Sequence, residues 1–287
     1  MIKKGIIISL ATLTFANTDR SFDGYSYFAV GVENFKYSEK FIYTFNSAYV
    51  SNSGKSYLKG ESVAVKSKIN VSSPVYLSGS LIKLNDKWDL SMDFASTLKP
   101  KITKEKWIDR GDGSTITTNY ATIMSNSMRF LMQYKLTNMH RLTFGFNYIL
   151  NNFKRFNDPD AQTTQLIEET TSTLVLDAGY WFESSTADIK NNLRIKYSIT
   201  AGLPIYENVT NTAAPNLEFS NKKGFNLDTS LYAGYGVMQG VEVGAFINYS
   251  YMYREGEEKN YKNKKVIWPT NITQSLRAGL NINWHFK

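Results

Sequence analysis

Apolar and polar side chains alternate one by one through most of this chain, a period that puts successive residues on opposite faces of an extended strand and that no helix can satisfy. In KWDLSMDFASTL, Trp88, Leu90, Met92, Phe94 and Leu98 share one face, while Asp89, Ser91, Asp93, Ala95 and Thr97 share the other. The pattern returns in NSMRFLMQYKL (Met128 to Leu136), RLTFGFNYIL (Leu142 to Leu150) and NLRIKYSITAGL (Leu193 to Leu203). It continues in GFNLDTSLYAGYGV (Phe225 to Val237) and VEVGAFINYSY (Val241 to Tyr251). Nineteen tyrosines and 17 phenylalanines against six prolines agree with it, because aromatic rings suit a pleated surface and proline cannot donate to a ladder.

A soluble sandwich also alternates, so the choice between sandwich and membrane barrel rests on what occupies the polar face. Here it holds full charges flanked by long apolar runs. The expected inward set is Glu33, Asp89, Asp93, Asp177, Asp228 and Glu242 against Arg129, Lys135, Arg141, Arg194, Lys196 and Arg277. A charged lumen and an apolar exterior satisfy both faces at once, as in a spanning barrel. The gaps between runs also alternate. Those at Asn85-Asp86, Thr137 to Met139, Ser184 to Ala187 and Met238 to Gly240 are short, and the ones between them are long and charged.

The predicted fold is therefore all-β: a transmembrane, antiparallel, up-and-down β-barrel with short periplasmic turns and long extracellular loops. Ten strands are expected, at 24–35, 74–84, 87–98, 120–136, 140–154, 170–183, 188–204, 223–237, 241–253 and 268–286. The stretch from Lys36 to Val71 is taken as an outer loop with its own hairpin, or as two more strands making twelve. A four-residue turn at Ser184 to Ala187 would set Phe182 opposite Ile189 and Asp177 opposite Arg194. A turn at Asn85-Asp86 would set Leu81 opposite Leu90 and Leu77 opposite Phe94 on the outside. Gly240 sits where a three-residue hairpin loop needs a left-handed residue.

At the N-terminus, MIKKGIIISLATLTFA joins two lysines, a short apolar core and small residues, which reads as a signal peptide over 1–16. That core is too short for a spanning helix, which needs about 20 residues. The remainder, 17–287, reads as one barrel domain, since no linker divides it. The chain ends in LRAGLNINWHFK, with Leu280, Ile282, Trp284 and Phe286 on one face. These residues resemble the closing strand of Gram-negative outer-membrane β-barrels, and the resemblance implies recognition by the barrel-assembly machinery. Lys287 departs from that pattern, in which the aromatic residue is usually last.

Chemistry is sparse. Cysteine is absent, which removes disulfides, thiolate metal sites and cysteine nucleophiles. Both histidines, His140 and His285, fall at the expected periplasmic rim, whereas an omptin-like protease needs one at the outer mouth. No serine hydrolase pairing is apparent either. Asp89 and Asp93 are about 13 Å apart along one strand face, too far to share a bond in hydrolysis. Glu168-Glu169 and Glu257-Glu258 read as loop charges, GDG at Gly111 to Gly113 as a turn without a Walker lysine, and Asp109, Asp112, Asp158 and Asp160 lack calcium-loop spacing.

No enzyme activity, cofactor or metal is expected. The formal net charge of +8 includes two lysines in the signal peptide, and the rest lie singly on strands or in loops without a nucleic-acid motif. Outer-membrane lipid and lipopolysaccharide are the expected partners, with a surface polysaccharide or protein as a further possibility. Trp107, in the charged segment KPKITKEKWIDRGDG, is the candidate loop contact. Aromatics at strand ends, Tyr25, Tyr27, Trp88, Tyr120, Tyr251, Tyr253, Trp268 and Trp284, suit interfacial girdles, and Trp181 falls on the inward face. Two functions fit: a surface-recognition or structural barrel acting through basic, aromatic outer loops, and a porin-like small-solute channel lined by charge.

Overall fold

The computed structural model describes residues 22–156, 165–184, 189–262 and 264–287. The expected signal peptide, together with Asp158 and Asp160, lies outside these residues. In chain order the strands are β1 (Gly24–Thr44), β2 (Tyr49–Val50), β3 (Ser56–Tyr57), β4 (Ser62–Lys83), β5 (Trp88–Thr97), β6 (Thr103–Asp109), β7 (Thr115–Lys135) and β8 (His140–Phe156). They continue with β9 (Gln165–Glu183), β10 (Leu193–Asn211), β11 (Glu218–Phe219), β12 (Gly224–Met238), β13 (Val241–Arg254), β14 (Glu257–Tyr261), β15 (Lys264–Trp268) and β16 (Thr270–Phe286).

Ten of these form a closed antiparallel wall in the order β1, β16, β13, β12, β10, β9, β8, β7, β5, β4, and β4 returns to β1 along its whole length. Closure leaves no unpaired edge to meet lipid. Ten strands is the expected number, but the stretch between Lys36 and Val71 is neither a loop nor an extra barrel hairpin. It prolongs β1 and β4, which pair without a break from Gly24 with Ile82 to Thr44 with Ser62. Only the tip, β2 with β3, folds separately. Likewise, the charged segment after β5 forms β6, which adds to both β4 and β7.

Several strands run 19–22 residues, whereas a membrane-crossing strand needs about 9–11. The surplus stands on one side. On β1 the outward residues Phe28, Val30 and Val32 are exposed and apolar, and the same face then turns polar at Asn34, Lys36, Ser38 and Lys40. Asn126, Asn152, Ser172 and Gln274 mark the same change on β7, β8, β9 and β16. The barrel thus projects beyond the apolar belt as a walled cup. The ends carrying short turns and both strand termini lie opposite, at the periplasmic side.

Two expected registers are corrected. Phe182 faces Tyr197 rather than Ile189, a slide of eight residues that sets Asp177 opposite Gly202 and moves Arg194 below the end of β9. The connection is longer than a four-residue turn: Ile189 is buried, Asn191 adopts a positive φ of 63°, and its N–H donates to the Gly236 carbonyl at 2.8 Å. Gly236 permits this approach, since any β-carbon there would overlap the Ile189 carbonyl. Within the supposed turn, 185–187 lie outside the described residues.

The second correction concerns β4. Leu81 faces Ser91 and Leu77 faces Ala95, which is one residue away from expectation and reverses the face. Val75, Leu77 and Leu81 are buried inside, where Leu77 packs with Ala29, Ala95, Tyr232 and Phe246. The turn at Met238 to Gly240 is as expected, with Gly240 at φ 85° and a register shift before it.

Because the chain lacks cysteine, these faces can be read by single-cysteine labelling. Tyr76→Cys should react with a membrane-dissolved maleimide in reconstituted vesicles, and Leu77→Cys should be protected at least tenfold. Preferential labelling of Leu77→Cys would restore the register read from sequence.

Candidate functional site at the outer mouth

All twelve charges assigned to the lumen face inward, and most are paired. At the periplasmic end they form a continuous chain. Lys135 and Arg141 hold Asp89 at 2.9 and 3.0 Å, and Arg141 reaches Glu183 at 3.0 Å. Arg194 joins Glu183 to Glu242, and Glu242 meets His285 Nε2 at 2.5 Å. Asp177 and Arg194, expected to be partners, are therefore separate. Glu183, which sequence reasoning did not single out, takes the place of Asp177.

Above this chain, Arg129 meets Asp93 at 3.4 Å and Tyr27 donates to the same carboxylate at 2.9 Å. Arg277 meets Glu33 at 2.8 Å, and Thr97 and Ser275 also donate to Glu33. Lys196 lies over the rings of Tyr25 and Tyr232, 3.6 and 4.7 Å from their centroids, an attractive cation–π arrangement. Asp228 lies near Asn147 and Asn226. Tyr25 is buried and Tyr27 faces the same interior, so neither belongs to a girdle; Trp181 is buried inside as expected. Among the described residues, cavities of about 70 Å³ each lie at this level, room for a few waters.

Beyond the apolar belt the interior widens. A cavity of about 410 Å³ opens there, lined by Glu39, Trp107, Phe153, Arg155, Glu169 and Trp268 among others. The strand period places these residues: Glu39 continues the inward face of Glu33, Arg155 that of Arg141, and Glu169 that of Asp177. Glu207 is the exception. The bulge between Pro204 and Tyr206 shifts the register of β10 and turns Glu207 from the outer face to the inner one.

Arg155 grips Glu105 through two hydrogen bonds of 2.6 and 2.7 Å and approaches Glu39 at 3.5 Å. Arg254 pairs with Glu207 at 3.0 Å. Glu169 accepts from Trp268 Nε1 at 3.2 Å and from Asn211 at 3.4 Å. Four carboxyl groups thus face two guanidinium groups at this level, an excess that becomes negative charge as Glu39, Glu169 and Glu207, all raised by burial, ionise. Lys265, also at the cavity, is occupied by Glu258 at 2.7 Å.

Trp107 belongs to β6 instead of a loop. Its ring packs edge-on to Phe41 and Tyr43, the Arg155 guanidinium lies 5.3 Å from its centroid, and its buried indole N–H meets no acceptor. Trp268 is buried in the mouth with Phe219 and Val209 and so is not an interfacial residue.

Burial pushes the Glu39 carboxyl up to about 7, with Arg155 opposing and Glu169 and Glu105 reinforcing the shift. Glu169 is raised by burial as well. The other suspected acids are neutralised. Asp109 and Asp112 both contact Lys55 Nζ at 2.7 Å, and this hydrogen bond holds each carboxyl below its usual range. Glu168 turns outward to Lys154 at 3.3 Å, away from Glu169. His140 stands at the periplasmic rim, and His285 there turns inward. On the closing strand Leu280, Ile282 and Trp284 are exposed on the lipid face, and Phe286 covers Gly24 of β1.

No family model and no curated protein matches this chain. Among solved structures it is similar in fold to the outer membrane protease OmpT from Escherichia coli, at 11% identity and a TM-score of 0.65, covering 93% of this chain and 98% of that one. The translocator domain of autotransporter NalP from Neisseria meningitidis aligns over 94% of this chain and 91% of its own, at 10% identity and a TM-score of 0.37. The closed wall, its apolar belt and the fold shared with OmpT define the class: this chain is a bacterial outer-membrane β-barrel.

Glu39 keeps its proton in the fold between its ordinary value near 4.5 and about 7. The stability this contributes is complete below about pH 4.5 and is lost as pH rises through 7. Glu39→Gln should therefore flatten the decline in unfolding free energy between pH 5 and 8 by about 2 kcal/mol, measured by urea titration in lipid vesicles. An unchanged slope would place the proton elsewhere.

Proposed function

We propose that this barrel is a surface-recognition protein that binds a cationic ligand with an apolar body in its outer mouth and does not act as a channel. One observation carries the reading: an aromatic-lined cavity of about 410 Å³ that presents the Glu39 and Glu169 carboxyls sits above an interior filled by paired charges. A cavity of a few hundred Å³ suits a small organic ligand. Glu39 and Glu169 supply negative charge, the Trp107 and Trp268 rings supply faces for a cation, and the free indole N–H of Trp107 supplies a donor.

This reading places recognition at the Glu39 and Glu169 carboxyls of the mouth rather than at the basic outer loops expected from the sequence. Proteolysis is the competing reading, given the fold shared with an outer membrane protease. Against it, the only two histidines of the chain lie at the opposite end of the barrel, so the mouth lacks the usual general base of hydrolytic sites. Assembly through the closing-strand face of Leu280, Ile282, Trp284 and Phe286 belongs to the same proposal.

The full chain in neutral detergent can be titrated with benzyltrimethylammonium, following tryptophan fluorescence. Saturable quenching is expected, strengthening as pH rises through 7 and Glu39 ionises, and weakened at least tenfold by Glu169→Gln. Equal binding of benzenesulfonate, or no loss in the variant, would remove the acidic mouth as the recognition site.

A further inference from the structure

The outward face of the same cup carries a second feature, unrelated to the mouth. Beyond the apolar belt, β1 presents Lys36 and Lys40, β4 presents Lys66 and Lys68, and β6 presents Lys104 and Lys106, all on the lipid-facing side of the wall. Five of them border an open groove of about 530 Å³.

The pairing makes this arrangement costly to the fold alone. Lys40 stands directly opposite Lys66, and Lys68 directly opposite Lys106. Like charges facing each other across a ladder repel. None of the six has a carboxylate within ion-pair distance among the described residues, because the acids of these strands, Glu33, Glu39, Glu105 and Asp109, point into the barrel. Partial burial and the nearby Lys68, Lys40 and Arg110 hold the Lys66 ammonium below its ordinary range. The patch is a concentration of positive charge that the protein itself does not neutralise.

Its height identifies the anion. Lys36 follows Val32, the outermost residue of the continuous apolar belt on β1, by four positions, about 13 Å along the strand, and the next apolar outward residue, Ile42, lies beyond the lysines. Strand tilt reduces that to roughly 10 Å along the membrane normal, at the outer side of the headgroup layer. Lys68, opposite Ser38, and Lys66, opposite Lys40, stand two and four positions further out, where the phosphorylated sugars of a glycolipid would extend. At this height the outer wall faces the headgroup side of the leaflet, where the phosphates of anionic lipids are held at high local concentration. We propose that Lys36, Lys40, Lys66, Lys68, Lys104 and Lys106 form a binding site for the phosphate groups of an anionic outer-leaflet glycolipid, with the lipid chains packed on the apolar belt below.

The test uses the full chain in phosphatidylcholine vesicles with and without diphosphoryl lipid A. The parent should retain lipid A through detergent extraction and unfold at a higher temperature in its presence. The K66S/K68S/K106S variant should bind at least tenfold more weakly and lose that thermal increment. In phosphatidylcholine alone the variant should be as stable as the parent or more so, because the facing lysines are gone. Equal lipid A retention by the variant would overturn the proposal, as would lower stability in phosphatidylcholine alone, which would make the lysines structural. Complete displacement of lipid A by millimolar inorganic phosphate would also overturn it, by assigning the site to free anions.

Discussion

The chain of opposite charges from Lys135 through Asp89, Arg141, Glu183, Arg194 and Glu242 to His285 is the interaction on which the rest of the barrel depends. It takes one group from each of seven strands, β7, β5, β8, β9, β10, β13 and β16, and every acid in it touches a positive or titratable neighbour on both sides. Such groups are tolerable in a dry interior only as partners, since removing one member of a buried pair costs about 3–5 kcal/mol. The same charges also police register. A one-residue slip would turn Arg141 or Arg194 out toward the lipid near the periplasmic interface, at up to about 1 kcal/mol each, and would break their ion pairs as well.

With the periplasmic end closed in this way, the layers above can be filled like a protein core. Leu77, Tyr232 and Phe246 occupy the middle, and Phe35, Tyr37, Ile69 and Phe153 the level above. Among the described residues, cavities of several hundred Å³ lie at the outer cup, inside it at the mouth and outside it at the lysine-bordered groove. The strand surplus beyond the apolar belt is thus the part of the wall that is free to differ in chemistry on its two faces, and on β1, β4 and β6 it does: acids turn in and lysines turn out.

Much of this was legible in the sequence because side-chain direction depends only on whether a position is odd or even. The slide of eight residues between β9 and β10 broke the Asp177–Arg194 pairing, yet an even shift keeps every side chain on its face, so both residues still point inward. β4 was misread because its two faces are both partly apolar: Val75, Leu77 and Leu81 on one, Tyr76 and Ile82 on the other. Glu207 was hidden by a bulge that no local residue announces. Glu39, Glu105, Arg155, Glu169 and Arg254 could have been found by extending each strand's period outward, but their charged surroundings resemble loops. The mouth therefore became visible only once those segments were seen as strands.

Whether the lumen is closed decides between a plugged barrel and a channel. Single-channel recording of the refolded chain in planar bilayers at 1 M KCl tests this directly. A barrel sealed by the Lys135–His285 chain predicts insertion, verified by heat-sensitive migration in SDS, without steady conductance. A stable ohmic current whose ion selectivity moves when Arg194 is replaced by alanine would contradict the account and make the charged interior a conduction path.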